Sequence, residues 1–304
     1  VLVLAIAAGA TSSAAPATHL GAGLSDGTSL VQVSETPAWQ LDGRGYSAAH
    51  LEATLGRQSE DNFICDLPIK DPTAPKMNLQ PNFVACKAHQ QQEARRCQGG
   101  RCDLVWVGDS IFERLKGMIC YLMVPPVLEL HKMGETFSET FKYSSRTLIL
   151  AGSGDSTPQT IYMLDHVLPA LQSPRAFFVM VGTNNLGVCC GSAEETTHGV
   201  KKIVGEIRQR HPRSRILLHP LLNRAGEGCC NRKMQPLVDE VNVELKAFAH
   251  SSDTIVEWVD CGHVFPLGWN ETVRSLMPDK LHPSVKGYQA WIRCLNPKLG
   301  QALL

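Results

Sequence analysis

Four short clusters in this 304-residue chain carry side chains that can move protons or hold an anion. They are Gly108-Asp109-Ser110, Gly152-Ser153-Gly154-Asp155, Gly182-Thr183-Asn184-Asn185 and Asp279-Lys280-Leu281-His282-Pro283. A serine hydroxyl is a weak nucleophile at neutral pH. It needs a base to take its proton, usually His, and that His needs an acceptor to fix its tautomer. Ser110 supplies a hydroxyl. Asp279 and His282 stand three residues apart, and Pro283 disfavours helical geometry at His282, so the pair is expected on a loop. In so short a segment the carboxylate can reach one imidazole nitrogen while the other faces Ser110. An oxyanion formed on attack needs donors fixed in advance. The backbone N–H of Gly154 has no side chain in its way, and the Asn184 amide offers a second donor. Asp260 and His263 form a rival pair with the same spacing. Asp279 and His282 are the stronger reading, because a helix follows them.

These clusters must be carried by elements that hold them together. Five short apolar runs read as buried strands: 102–108, 147–152, 176–182, 215–222 and 254–261. Helical patterns lie between them, at 80–97, from Ser192 to Arg210, from Met234 to His250, and in the last segment starting at Ser284. Ser192 with Glu195 reads as a capping box. Strands alternating with helices predict an α/β fold, a flavodoxin-like three-layer α/β/α sandwich on a five-stranded parallel sheet. Such sheets put their sites beyond the carboxyl ends of the strands. The first three clusters fall at the ends of the first three strands, and the fourth follows the fifth strand after a loop.

On those motifs the chain resembles the SGNH (GDSL) hydrolase superfamily. GDS, SGD, GTNN and DKLHP stand in that family's order. "VWVGDSIFERL", "SGDST" and "VMVGTNN" resemble the branch that holds the catalytic subunits of platelet-activating-factor acetylhydrolase and related microbial esterases. The resemblance covers about residues 80–304. It implies Ser110 as nucleophile, His282 as base and Asp279 as acid partner. It implies oxyanion donors from the Ser110 and Gly154 N–H groups and the Asn184 side chain, with Asp109 in support, and no metal or organic cofactor. Asn185 stands where the commoner form of the motif has Asp. The implied activity is hydrolysis of short acyl esters on a small molecule or polysaccharide, with a lipid ester as substrate, acyl transfer to an acceptor hydroxyl, or carbohydrate binding without catalysis as the alternatives.

Composition narrows the partners. Lys+Arg and Asp+Glu are both 29, so a broad electrostatic grip on nucleic acid or an anionic membrane is not expected. The first ten residues are apolar and are followed by small residues, which resembles a signal-peptide core and cleavage zone. That run is too short to span a bilayer. Eleven cysteines without a C-x-x-C pair argue for disulfides in a secreted protein rather than zinc. Asn270-Glu271-Thr272 is an N-glycosylation sequon. The expected organisation is a leader and linker over 1–35, an irregular lobe over 36–79 and a hydrolase domain over 80–304. Phe265 and Trp269 are candidate pocket walls. Arg114, Arg224 and Lys280 read as solvated charges before anion ligands. His89, His131, His198, His211, His219 and His250 read as packing or surface residues.

Overall fold

A computed structural model describes residues 71–77, 83–97, 102–119, 128–188, 190–228, 231–251, 256–268 and 270–304. The expectations for the leader, for most of 36–79, for Trp269 and for the adjacent cysteine pairs taken as units lie outside these residues.

Five strands form one parallel sheet: β1 Leu104–Asp109, β2 Thr147–Gly152, β3 Ala176–Met180, β4 Arg215–Leu218 and β5 Val256–Trp258. Their order is β2-β1-β3-β4-β5, as a flavodoxin-like fold requires. The helices among the described residues are α1 Phe83–Arg96, α2 Ser110–Glu113, α3 Leu128–Thr140, α4 Thr157–Val167, α5 Thr183–Gly187, α6 Ala193–Arg210, α7 Met234–Ser251, α8 Glu271–Leu276 and α9 Val285–Ala302. On one side α3 packs against α9; elsewhere α1 packs on α4, α4 on α6, and α6 on α7.

The central strand β1 is buried along its whole length. Trp106 sits at its middle, with the rings of Phe112, Phe137, Phe141, Phe178 and Trp291 around it at centroid distances of 4.8 to 6.4 Å. That aromatic nucleus fastens α2, α3 and α9 to the sheet, and with them the loops those helices carry.

The predicted strands and helices are present, with displaced ends. β4 stops at Leu218 rather than running to 222, because Pro220 has no N–H to give to a ladder. After that stop, His219 donates its N–H to Val179 O at 3.0 Å. At the sheet edge, β5 keeps three residues. The last helix runs on to Ala302, through Pro297, well beyond the predicted segment. At Ser192 the capping box forms as read: its hydroxyl accepts from Glu195 N at 3.0 Å and its own N–H donates to Glu195 Oε2 at 2.6 Å. Residues 71–77 are fastened to the start of α4, with Lys76 N donating to Pro158 O and Thr157 Oγ1 to Pro72 O, both at 3.0 Å.

Disulfides join Cys97 to Cys102, between α1 and β1, and Cys261 to Cys294, between the β5 loop and α9. Among the described residues no helix is long and apolar enough to cross a membrane.

Candidate active site

β1 ends in Asp109, and the chain turns directly into α2. Asp109 caps that helix, its Oδ1 accepting from Ile111 N at 3.0 Å. The turn is tight enough to require glycine before it. A Cβ on Gly108 would lie 2.5 Å from the Phe112 ring and 2.7 Å from Met180 O. Ser110 is the first residue of the helix, and its Oγ lies 2.9 Å from His282 Nε2.

His282 is presented by the loop between α8 and α9. Lys280 donates its N–H to Met277 O at 3.2 Å and takes a left-handed φ of 67°. This reversal folds the segment around one carboxylate. Asp279 Oδ1 accepts from the N–H groups of Leu281 (3.0 Å) and His282 (2.6 Å), and Oδ2 meets His282 Nδ1 at 2.6 Å. The loop then closes on α9: Ser284 N donates to Leu276 O, and Ser284 Oγ accepts from Gly287 N. Tyr288, one helical turn on, donates its hydroxyl to Ile111 O at 2.7 Å, so α9 also grips the backbone next to Ser110.

Electrostatics define the proton's place. Burial alone would raise the Asp279 carboxyl. The hydrogen bond from His282, its charge and its backbone N–H outweigh that and hold the group well below the usual carboxylate range. An ionised carboxylate only accepts, so His282 Nδ1 carries the hydrogen and Nε2 turns its lone pair to Ser110. Burial, together with the Arg114 charge, lowers the His282 pKa, against the raising effect of Asp279.

The ends of β2 and β3 bring the remaining predicted residues to the same place. Asp109 pairs with Gly152 across the sheet, so β1 and β2 finish level. Gly154 follows with a φ of 77°, open to glycine and strained for most other residues. Asn184 is buried, and its Nδ2 donates to Asp155 O at 3.0 Å, tying the third motif to the second. Ser110, Gly154 and Asn184 thus follow the carboxyl ends of β1, β2 and β3, and His282 with Asp279 reaches Ser110 from the loop between α8 and α9.

The motif's departure at Asn185 has a structural reason. Asn185 Oδ1 accepts from Thr157 N at 3.0 Å, and Nδ2 donates to Thr157 Oγ1 at 2.7 Å. Thr157 Oγ1 spends its own hydrogen on Pro72 O. It must therefore receive a donor, which Asn has and an ionised Asp lacks.

Several charged groups escaped sequence reasoning. Lys87 of α1 reaches Asp155 Oδ2 at 2.9 Å, with side-chain exposures of 8% and 0%. Glu113 is buried and accepts from both Ser153 N (2.8 Å) and Ser153 Oγ (2.5 Å). Arg224 is not a solvated charge: it is buried and donates to Thr183 O at 2.8 Å and Thr183 Oγ1 at 3.1 Å. Burial pushes the Asp109 carboxyl up to about 7, with the Asp155 charge adding to the rise and the Ile111 N–H and Arg224 opposing it. The only sequence trace of α1's role was its helical pattern, and no periodicity says which residue of a helix plugs into a strand end.

The rival groups do other work. Asp260 Oδ1 accepts from Gly262 N at 2.8 Å and closes a turn. Ser156 caps α4 with Gln159. His219 is a buried packing residue whose Nε2 accepts from Trp291 Nε1 and Cys261 N. A pocket of about 220 Å³ lies beside the His282 loop, lined by Phe265, Leu267, Val273, Met277, Asn223 and Lys280 among others. Phe265 lines this pocket and is itself part of the buried core.

This flavodoxin-like fold places a serine at the first strand end within hydrogen-bonding distance of a histidine before the last helix. Residues 107–290 match the GDSL-like Lipase/Acylhydrolase family, and the chain belongs to it: it is a serine ester hydrolase. It is 30% identical over 215 residues to platelet-activating factor acetylhydrolase IB subunit alpha1 of Bos taurus, covering 66% of this chain and 80% of the bovine one. The Homo sapiens subunit matches with the same identity and coverage. Among solved structures, a GDSL-like lipase from Bacteroides thetaiotaomicron superposes with a TM-score of 0.55 at 16% identity, over 72% of this chain and 99% of that one.

Proposed function

We propose that the chain is a secreted serine esterase that removes short acyl groups, acetyl first among them, from a small-molecule or polysaccharide ester. The observation that carries this reading is the hydrogen-bonded line from Ser110 Oγ through His282 to Asp279. Ser110 Oγ attacks the ester carbonyl as its proton passes to His282 Nε2, while Asp279 stabilises the imidazolium. The tetrahedral oxyanion rests on the N–H groups of Ser110 and Gly154 and on the Asn184 amide. His282 then gives its proton to the leaving alcohol. A water deprotonated by His282 attacks the acyl-enzyme, and the acid leaves as Ser110 regains its proton.

Three observations support the finer points. Relatives over two thirds of the chain are named acetylhydrolases. Disulfides fit an oxidising compartment. Asn270 is exposed and caps α8 through Oδ1, so its sequon stands where a glycan transferred in that compartment would be accommodated.

The test is hydrolysis of p-nitrophenyl esters of increasing acyl length. Wild type should work best on acetate, and Ser110→Ala should lose activity while keeping its circular dichroism spectrum. Full activity in Ser110→Ala would overturn the assignment, and a maximum beyond eight carbons would overturn the short-acyl preference.

A further inference from the structure

We propose that Glu113 is a positioning residue that sets the oxyanion-donor loop at its working distance from Ser110. The inference rests on the reading of Ser110 as nucleophile and Gly154 as donor. Glu113 stands three residues after Ser110 and closes α2. Its carboxylate is buried at 1% exposure, and one oxygen, Oε2, receives both hydrogens that Ser153 can give. Ser153 immediately precedes Gly154. The nucleophile's helix and the donor loop are therefore joined one residue from the donor and three from the nucleophile.

The join is needed because the sheet no longer supplies it. β1 and β2 pair up to Asp109 and Gly152 and no further. Beyond that register no ladder bond fixes the distance between Ser110 and Gly154. The left-handed turn at Gly154 leaves its N–H direction dependent on where Ser153 is held. A buried carboxyl group is costly unless its oxygens are satisfied, and both hydrogens that Ser153 can give converge on Glu113 Oε2. Glu113 thus makes a stiff strut in place of a missing strand pair. It touches no reacting atom and acts through Ser153 and Gly154.

The test uses the full chain with p-nitrophenyl acetate and a trifluoromethyl ketone. The ketone adds to the serine hydroxyl as a tetrahedral oxyanion and so reports the donors rather than ground-state binding. Loss of one oxyanion donor typically lowers kcat by about 10²–10³. Glu113→Ala should approach that loss, with KM within about threefold and the ketone's Ki weakened in parallel with kcat/KM. Glu113→Gln, which keeps an acceptor oxygen at the same reach, should recover most of both. Ser153→Ala, which keeps the backbone bond and loses the hydroxyl one, should fall between.

A folded Glu113→Ala with wild-type kcat and Ki would overturn the inference, as would a loss confined to KM or a Gln variant no better than Ala. If Glu113→Ala does not fold, Glu113→Asp decides, since it keeps the carboxyl group and shortens the reach by one methylene. Unchanged kcat and Ki in it would refute the strut. A wild-type chain that neither hydrolyses the ester nor binds the ketone would count against Ser110 itself, and the inference would fall with it.

Discussion

Replacing Lys87 by Met should destabilise the whole domain, although Lys87 lies outside the family-matched residues 107–290. Its ammonium meets Asp155 at 2.9 Å with both side chains out of water. Methionine fills nearly the same volume, so little cavity forms. The cost comes from removing the cation that faces the Asp155 carboxylate in a buried place close to Asp109. Breaking a buried pair by removing one partner costs about 3–5 kcal/mol. For a domain of this size each kcal/mol shifts Tm by roughly 2–4 °C, so a fall of about 10 °C is expected. Thermal unfolding followed by circular dichroism measures it in wild type, Lys87→Met, Asp155→Asn and the double variant. Neutralising Asp155 in the Met background should recover part of the loss, because the charge that Lys87 faced is gone. A Lys87→Met protein melting within about 2 °C of wild type would refute the reasoning, since a buried pair cannot lose one member that cheaply.

Three further outcomes follow from the same geometry. His219 is held neutral, with burial lowering its pKa to about 4; between pH 6.5 and 4 the unfolded chain binds a proton that the folded one refuses. Stability should therefore fall by about 3 kcal/mol as pH drops through that window, and urea unfolding at pH 7 and 4.5 should show a smaller difference in His219→Gln. Burial and Arg114 lower the pKa of His282, so the acid limb of kcat/KM should have its midpoint below the ordinary imidazole value; a midpoint above 6.5 would contradict it. Asp279→Asn removes the charge that fixes the His282 tautomer, and kcat should drop by about 10⁴ in p-nitrophenyl acetate assays.

The sheet was legible because buried parallel strands announce themselves. TLILAG and AFFVM are apolar without interruption, as strands covered on both faces must be. The capping box at Ser192 was legible because its two partners are three residues apart in sequence. Ser110 stood out because glycine and polar residues break the apolar pattern at a strand end, Asp279 and His282 because of their spacing before a proline and the last helix, and the family resemblance linked the three. What stayed hidden depends on long-range placement. Arg224 looked like any surface arginine, and only the fold shows Thr183 beneath it. Lys87 and Glu113 look like ordinary helical charges until α1 and α2 are packed against the end of β2. The short α5 and α8 have too few residues to show a period.

Those hidden residues explain how a site dispersed over four chain segments keeps one geometry. The sheet register brings Asp109 and Gly152 level, and β3 stops at Met180, opposite Gly108. Hydrogen bonding of the ladder ends there, yet Ser110, Gly154 and Asn184 all lie beyond it. Each gap is bridged by a buried polar side chain. Glu113 joins the first loop to the second, Asn184 and Asn185 join the third to the second, and Arg224 holds the third from the β4 side. Tyr288 and the Asp279 carboxylate bind the fourth segment to the first through Ile111 and His282. An apolar substitute could fill the same volume at any of these joints, but it could not fix a distance or aim an N–H. Buried polar networks of this kind are costly when half-satisfied and specific when complete, so their place is at the strand ends, where the ladder no longer holds one loop to the next.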